Sequence, residues 1–155
     1  MKSILSNKIV IDCTVSDIFD YVTQPWLWHE WHPNSISAVR KKHPLKAGDQ
    51  FEEDIELSPL EPLPIKIKKH SIYDVLESKP NEKWIVEGAM SNGKIRIKYE
   101  FYALSETSTE FKRTLMFNTK GAYNLLHPIL YRYLKRTSSL AIHRLKETCE
   151  SKFSS

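Results

Sequence analysis

The chain predicts an α+β fold: a curved antiparallel sheet of about seven strands wrapped around one long C-terminal helix, with two short helices after the first strand. Three observations predict it. Residues 121–150 are the one long stretch with helical periodicity, where Leu125, Leu126, Ile129, Leu130, Tyr133, Leu134, Leu140, Ala141 and Leu145 recur at i, i+3, i+4 and i+7. Most of the chain between residue 35 and that helix reads as short extended segments broken by turn residues. The segments are consecutive and closely spaced, which is the connectivity of an antiparallel sheet. A helix of roughly 28 residues is about 40 Å long and must lay its apolar stripe on that sheet.

Taken in order, Lys8 to Cys13 alternates and is rich in β-branched residues, so it reads as the first strand. Thr14 or Ser16 offers an N-cap for a short helix over Asp17 to Val22, with Ile18, Phe19 and Val22 on one face. Pro25 suits the first position of a second short helix carrying Trp26, Leu27, Trp28 and Trp31, and Pro33 stops it. Ser35 to Lys42 is the next strand. Lys46-Ala47-Gly48-Asp49 is a turn, with glycine where positive φ is easiest. Gln50 to Leu57 is a strand with Phe51, Ile55 and Leu57 on one face. The segment Ser58 to Pro64 is too proline-rich to lie in a sheet. Ile65 to Glu77 changes phase near His70, which predicts a bend or bulge there.

Lys83 to Ala89 follows, and Ser91-Asn92-Gly93 reads as a hairpin turn. Lys94 to Leu104 alternates cleanly, with Ile95, Ile97, Tyr99, Phe101 and Ala103 on one side. A turn at Ser105 to Ser108 leads into the last strand, Thr109 to Asn118. Pro128, inside the helical pattern, is expected to kink the long helix. Residues 152–155 read as frayed.

At 155 residues the chain reads as one domain, spanning residues 1–155. Apolar and charged fractions are ordinary for a globular protein. No apolar run has the length of a membrane span or the shape of a signal peptide, which points to a cytoplasmic protein. Cys13 and Cys149, at opposite ends, are expected to be free thiols. The net charge of +4 comes with both signs mixed along the strands. No nucleic-acid partner is expected from it, and membrane contact is compatible with the sequence without being required by it. Oligomeric state is not legible. No G-x-S-x-G elbow, P-loop, dinucleotide-binding glycine motif or zinc-finger spacing occurs, so nucleotide enzymes and hydrolases are disfavoured and no cofactor is expected.

Three stretches carry a family resemblance: Val15 to Thr23 followed by Trp28 and Trp31-His32-Pro33; Leu45 to Phe51, a turn into a strand; and Leu125 to Leu130 through Leu145-Lys146-Glu147. With the order of elements, they resemble the helix-grip fold of the START-like (SRPBCC) superfamily, which includes pollen-allergen-like and polyketide cyclase/dehydrase groups. The resemblance covers nearly all of residues 5–150. It implies a sheet wrapped around the long helix, enclosing an apolar cavity. Members bind lipids, hormones or polyketides, and some catalyse cyclisation or dehydration there.

Two charges fall in phase with the apolar sheet face. Glu53 shares parity with Phe51 and Ile55, and Arg113 with Phe111, Leu115 and Phe117. An inward charge is costly unless paired or solvated. Either the two pair with each other, or a bulge turns one outward, or Arg113 anchors a carboxylate, enolate or phosphate on a ligand. Tyr73, Tyr99 and Tyr133 are either core residues or hydroxyls turned into the same space.

The Trp-rich segment is either a plug at the barrel end or a lid over a hydrophobic ligand, with Trp31 assigned to the plug. His29 and His32 have metal-compatible spacing but no evident third ligand, so no metal site is expected. His127 reads as a satisfied surface histidine, with a general-base role as the alternative.

The expected function is therefore binding of a small hydrophobic or amphipathic ligand, such as a lipid or polyketide, between sheet and C-terminal helix. The expected lining is Phe51, Glu53, Ile55, Ile97, Tyr99, Phe101, Arg113, Leu115, Leu126, Leu130 and Tyr133. One alternative is a polyketide cyclase or dehydratase using the same cavity. Another is a membrane-surface or protein-interaction module using basic strands and exposed tryptophans. Whether the protein is an enzyme, and with which catalytic residues, is left open by the sequence.

Overall fold

The computed structural model describes residues 1–90 and 93–153. Strand β1 (Lys2–Ile11) leads into α1 (Val15–Val22) and a 3₁₀ turn over Pro25–Glu30. Six strands follow: β2 (Ser35–Ala38), β3 (Gln50–Leu57), β4 (Ile67–Lys79), β5 (Lys83–Met90), β6 (Gly93–Ser105) and β7 (Ser108–Asn118). A 3₁₀ segment, Gly121–Leu126, then precedes the long helix α2 (His127–Phe153). The sheet runs β1-β7-β6-β5-β4-β3-β2, and every pair is antiparallel. This is the α+β helix-grip architecture that the element order predicts.

The N-terminal helices form for local reasons. Thr14 caps α1, its hydroxyl accepting the Asp17 N–H at 3.1 Å. Ile18, Phe19, Tyr21 and Val22 bury one face of that helix. The Trp28 indole N–H donates to the Val22 carbonyl at 2.7 Å and ties the 3₁₀ turn to the end of α1. All three tryptophans of this segment are buried, Trp26, Trp28 and Trp31 alike. All three are core, as the plug reading expects of Trp31, and none is an exposed tryptophan.

Several boundaries differ from expectation. β1 begins at Lys2, because β7 pairs with it down to Asn118 whatever the polar character of residues 2–7. β2 stops at Ala38, ahead of the exposed basic run Arg40-Lys41-Lys42. No phase change occurs at His70, which pairs in regular register with Asp54; the irregularity lies between Val75 and Glu77. Gly48 adopts φ +95° in the expected turn. The expected hairpin turn at Ser91-Asn92-Gly93 falls, apart from Gly93, outside the described residues.

The C-terminal helix also differs. Pro128 has no N–H to donate to a preceding turn, so the α-helical ladder starts beside it and does not pass through it kinked. The preceding turn is 3₁₀, and its Leu125 is 83% exposed. Leu126, Ile129 and Leu140 are also exposed, whereas Tyr133, Leu134, Thr137, Ser138, Ala141, Ile142, Leu145 and Cys149 are buried. The inner face of α2 is thus more polar and lies further along the chain than the apolar stripe suggests. The helix stays regular to Phe153, past the expected fraying point.

His127 is buried, not on the surface. It bonds Ser3 Oγ at 2.7 Å and Thr119 Oγ1 at 2.8 Å and stacks on Phe117 at 4.9 Å. These partners lock the helix start to β1 and β7. Cys13 and Cys149 are free and buried. Among the described residues, no helix is long and apolar enough to cross a membrane.

Candidate functional site

The sheet curls over α2 and leaves a cavity of about 320 Å³ between them. That volume suits a small ligand. Tyr73, Tyr99 and Trp28 border the cavity, backed by further rings that strand pairing brings into register. Phe51 on β3 stacks on Tyr73 of β4 at 4.9 Å, and Trp84 on β5 stacks on Tyr99 of β6 at 5.5 Å. Trp28 stands edge-on to Phe51, Tyr73, Trp84 and Tyr99. The Tyr73 ring lies on Gly88, where a Cβ would come within 2.8 Å of it. Gly88 therefore leaves the room that the ring occupies.

Of the residues expected to line this space, Glu53, Ile55, Ile97, Tyr99, Arg113, Leu115, Leu126 and Leu130 do border the cavity. Phe51, Phe101 and Tyr133 do not. Phe51 sits behind Tyr73 and Trp28, and Phe101 packs on Phe19 at 5.1 Å and Phe111 at 5.4 Å. The Tyr133 hydroxyl instead donates to Asn34 Oδ1 at 2.7 Å. Period-2 parity says which face a side chain takes, but not whether a neighbour stands between it and the open space.

The two inward charges do not pair directly. Glu53 Oε2 accepts the Ser35 hydroxyl at 2.6 Å. Arg113 Nη1 donates to Ser138 Oγ on α2 at 3.1 Å, and its Nη2 lies 3.2 Å from His32 Nε2. Arg113 Nε is buried without a partner. β3 and β7 are separated by three strands in the sheet, which keeps the carboxyl and the guanidinium on different walls. Burial raises the Glu53 carboxyl to about 7, against the opposing pull of the Ser35 hydrogen bond and the Arg113 charge. The Tyr73 and Tyr99 hydroxyls are raised, burial being the main cause.

Sequence reasoning did not place Asn34, Thr137, Ser138 or Leu134 at the site, and it weighed His32 only as a metal ligand. His32 borders the cavity, and burial foremost, then the Arg113 charge, hold it well below the usual histidine range. Its Nδ1 accepts the Asn34 N–H at 3.1 Å. His29 is exposed and takes no part. Asn34 bridges to α2 through Tyr133 and through Thr137 Oγ1 at 3.2 Å. The one local signal for His32 and Asn34 is their position beside Pro33, where the chain leaves the 3₁₀ turn and crosses the barrel end.

The mouth is largely apolar, with Lys69 beside Ile67 on β4. Leu60, Ile67, Tyr123, Leu126 and Ile129 border it, and all but Leu60 are exposed.

No protein-family model matches the chain, and no curated protein matches it in sequence. Solved structures match it in fold. The Zhui aromatase/cyclase from Streptomyces sp. R1128 superposes with a TM-score of 0.75 at 10% identity, over 98% of this chain and 96% of that one. A START superfamily protein from Mycobacterium smegmatis gives a TM-score of 0.67 at 13% identity, over 94% and 98%. Ara h 8.0201 gives a TM-score of 0.66 at 12% identity, over 98% and 100%. Likeness at these identities shows the fold alone, the helix grip.

Proposed function

We propose that this protein, as one domain over residues 1–155, binds a small hydrophobic or amphipathic ligand between the sheet and α2. The observation that carries the reading is the cavity itself: about 320 Å³, walled by aliphatic and aromatic side chains with polar groups set among them. Burial of the ligand's apolar surface supplies the affinity, at about 25 cal/mol per Å² before the costs of association. Arg113 and Tyr99 set its orientation, while Ile55, Ile97, Leu115, Leu126 and Leu130 hold its body. Native mass spectrometry of the protein purified from its host, before and after mild organic extraction, tests the reading. An apolar adduct removed by extraction supports it. No adduct, together with no thermal stabilisation across a panel of lipids and polyketides, overturns it.

A second reading, an enzyme of the cyclase or dehydratase type, is favoured by one observation. Glu53 faces the cavity with its carboxyl raised to about 7, which is where a general acid–base group works best at neutral pH. The fold likeness to an aromatase/cyclase agrees with this reading. Turnover of a supplied polyketone that disappears in Glu53→Gln supports catalysis. Binding without turnover leaves the carrier reading alone.

A further inference from the structure

The polar end of the cavity holds more hydrogen-bond donors than acceptors. Arg113 offers five N–H bonds and no acceptor. One goes to Ser138, and the buried Nε has no partner. Nη2 faces His32 Nε2 at 3.2 Å. His32 Nδ1 already accepts the Asn34 N–H, so the neutral ring carries its proton on Nε2. Two N–H donors therefore converge with no acceptor between them. The opposite tautomer only moves the conflict to the Asn34 N–H. A doubly protonated ring would give up that backbone bond and set a second cation beside Arg113.

The Tyr99 hydroxyl lies beside the guanidinium and can accept from it, but it is neutral and leaves the charge uncompensated. Glu53 lies on another wall, bonded to Ser35. The described residues place no carboxylate in contact with Arg113. A buried guanidinium with an idle N–H and no counter-ion is costly. The cost falls if a ligand supplies the missing negative oxygen.

Resting on the ligand-binding reading above, we infer that the ligand carries a carboxylate, seated against Arg113 and the Nε2–H of His32, with its apolar body running past Ile97, Leu115 and Leu130 to the mouth. A carboxylate matches the planar fork of a guanidinium and neutralises it. A neutral carbonyl accepts a hydrogen bond but leaves the charge. A phosphate wants several cations or a cradle of backbone N–H groups; Arg113 is the one arginine in the lining, and the other lining cation, Lys69, is on β4 beside the mouth residue Ile67.

The test compares decanoate with decanamide, which share size and apolar body and differ in head-group charge, by calorimetric titration of the whole protein at neutral pH. Decanoate is expected to bind about tenfold tighter or better. In Arg113→Met the two are expected to bind alike, the advantage of decanoate over decanamide being lost. Equal affinities in the wild type overturn the carboxylate and leave the cavity reading intact. Binding of neither probe overturns both. A preference that survives in Arg113→Met overturns the seat at Arg113, and tighter binding of decyl phosphate overturns the choice of head group. Should the variant fail to fold, ¹⁵N spectra of the wild-type histidines decide. Decanoate, and not decanamide, is expected to move the His32 Nε2 resonance, and no movement overturns the proposal.

Discussion

Ser35 Oγ donates to Glu53 Oε2 across 2.6 Å, joining the end strand β2 to β3 inside the cavity wall. Tyr73 on β4 and Arg113 on β7 act on the same carboxyl from other strands, and Asp54 neighbours it on its own. Burial outweighs the hydrogen bond and the arginine, so the folded carboxyl sits at about 7. Folding therefore favours the neutral acid. The stability this gives is complete below the unfolded carboxyl range of about 4.3 and is lost as pH rises to about 7. The wild type minus Glu53→Gln stability difference, from urea titrations at several pH values, is expected to fall by about 3 kcal/mol across that window. The His32 contribution runs the opposite way and cancels in the difference. A difference that stays flat with pH would show that Glu53 ionises freely in the folded protein.

Arg113 is expected to serve the ligand at some expense to the fold. Its Nε has no partner and its Nη2 meets another donor. Arg113→Met keeps most of the side-chain volume and removes a buried charge. The variant is expected to be as stable as the wild type, or more stable by about 1 kcal/mol. Thermal melts without ligand check this. A loss of about 3 kcal/mol or more would mean that Arg113 is a structural strut.

Asn34 ties the barrel end to α2 through Tyr133 and Thr137. Tyr133→Phe removes one neutral hydrogen bond and is expected to cost about 1 kcal/mol. Asn34→Ala leaves both partners buried without their bonds and is expected to cost about 2–4 kcal/mol. Chemical denaturation of the two variants ranks them. Equal costs would show that water replaces Asn34.

Leu130 is half-buried and borders the cavity from the first turns of α2. Leu130→Trp is expected to fill the space and abolish uptake of an apolar probe, while far-ultraviolet circular dichroism stays that of the wild type. Undiminished uptake in the folded variant would place the ligand elsewhere.

The sequence by itself determined the element order, the antiparallel connectivity and the inward parity of Glu53 and Arg113. Those follow from local rules: period 2 in strands, period 3.6 in the helix, and the backbone demands of proline and glycine. Boundaries were less legible where pairing overrides composition, as in the polar start of β1, or where a missing N–H resets the helix at Pro128.

Tertiary structure alone decided which inward side chains meet the cavity and which partners they find. Phe51 has the expected strand parity but lies behind other rings, and Tyr133 is on the buried face of α2 but turns its hydroxyl to Asn34. His32 and Arg113 are 81 residues apart in sequence and 3.2 Å apart in space. Their contact depends on how the chain leaves the 3₁₀ turn and how strongly the sheet curls, properties of the whole packed assembly that no local sequence window encodes.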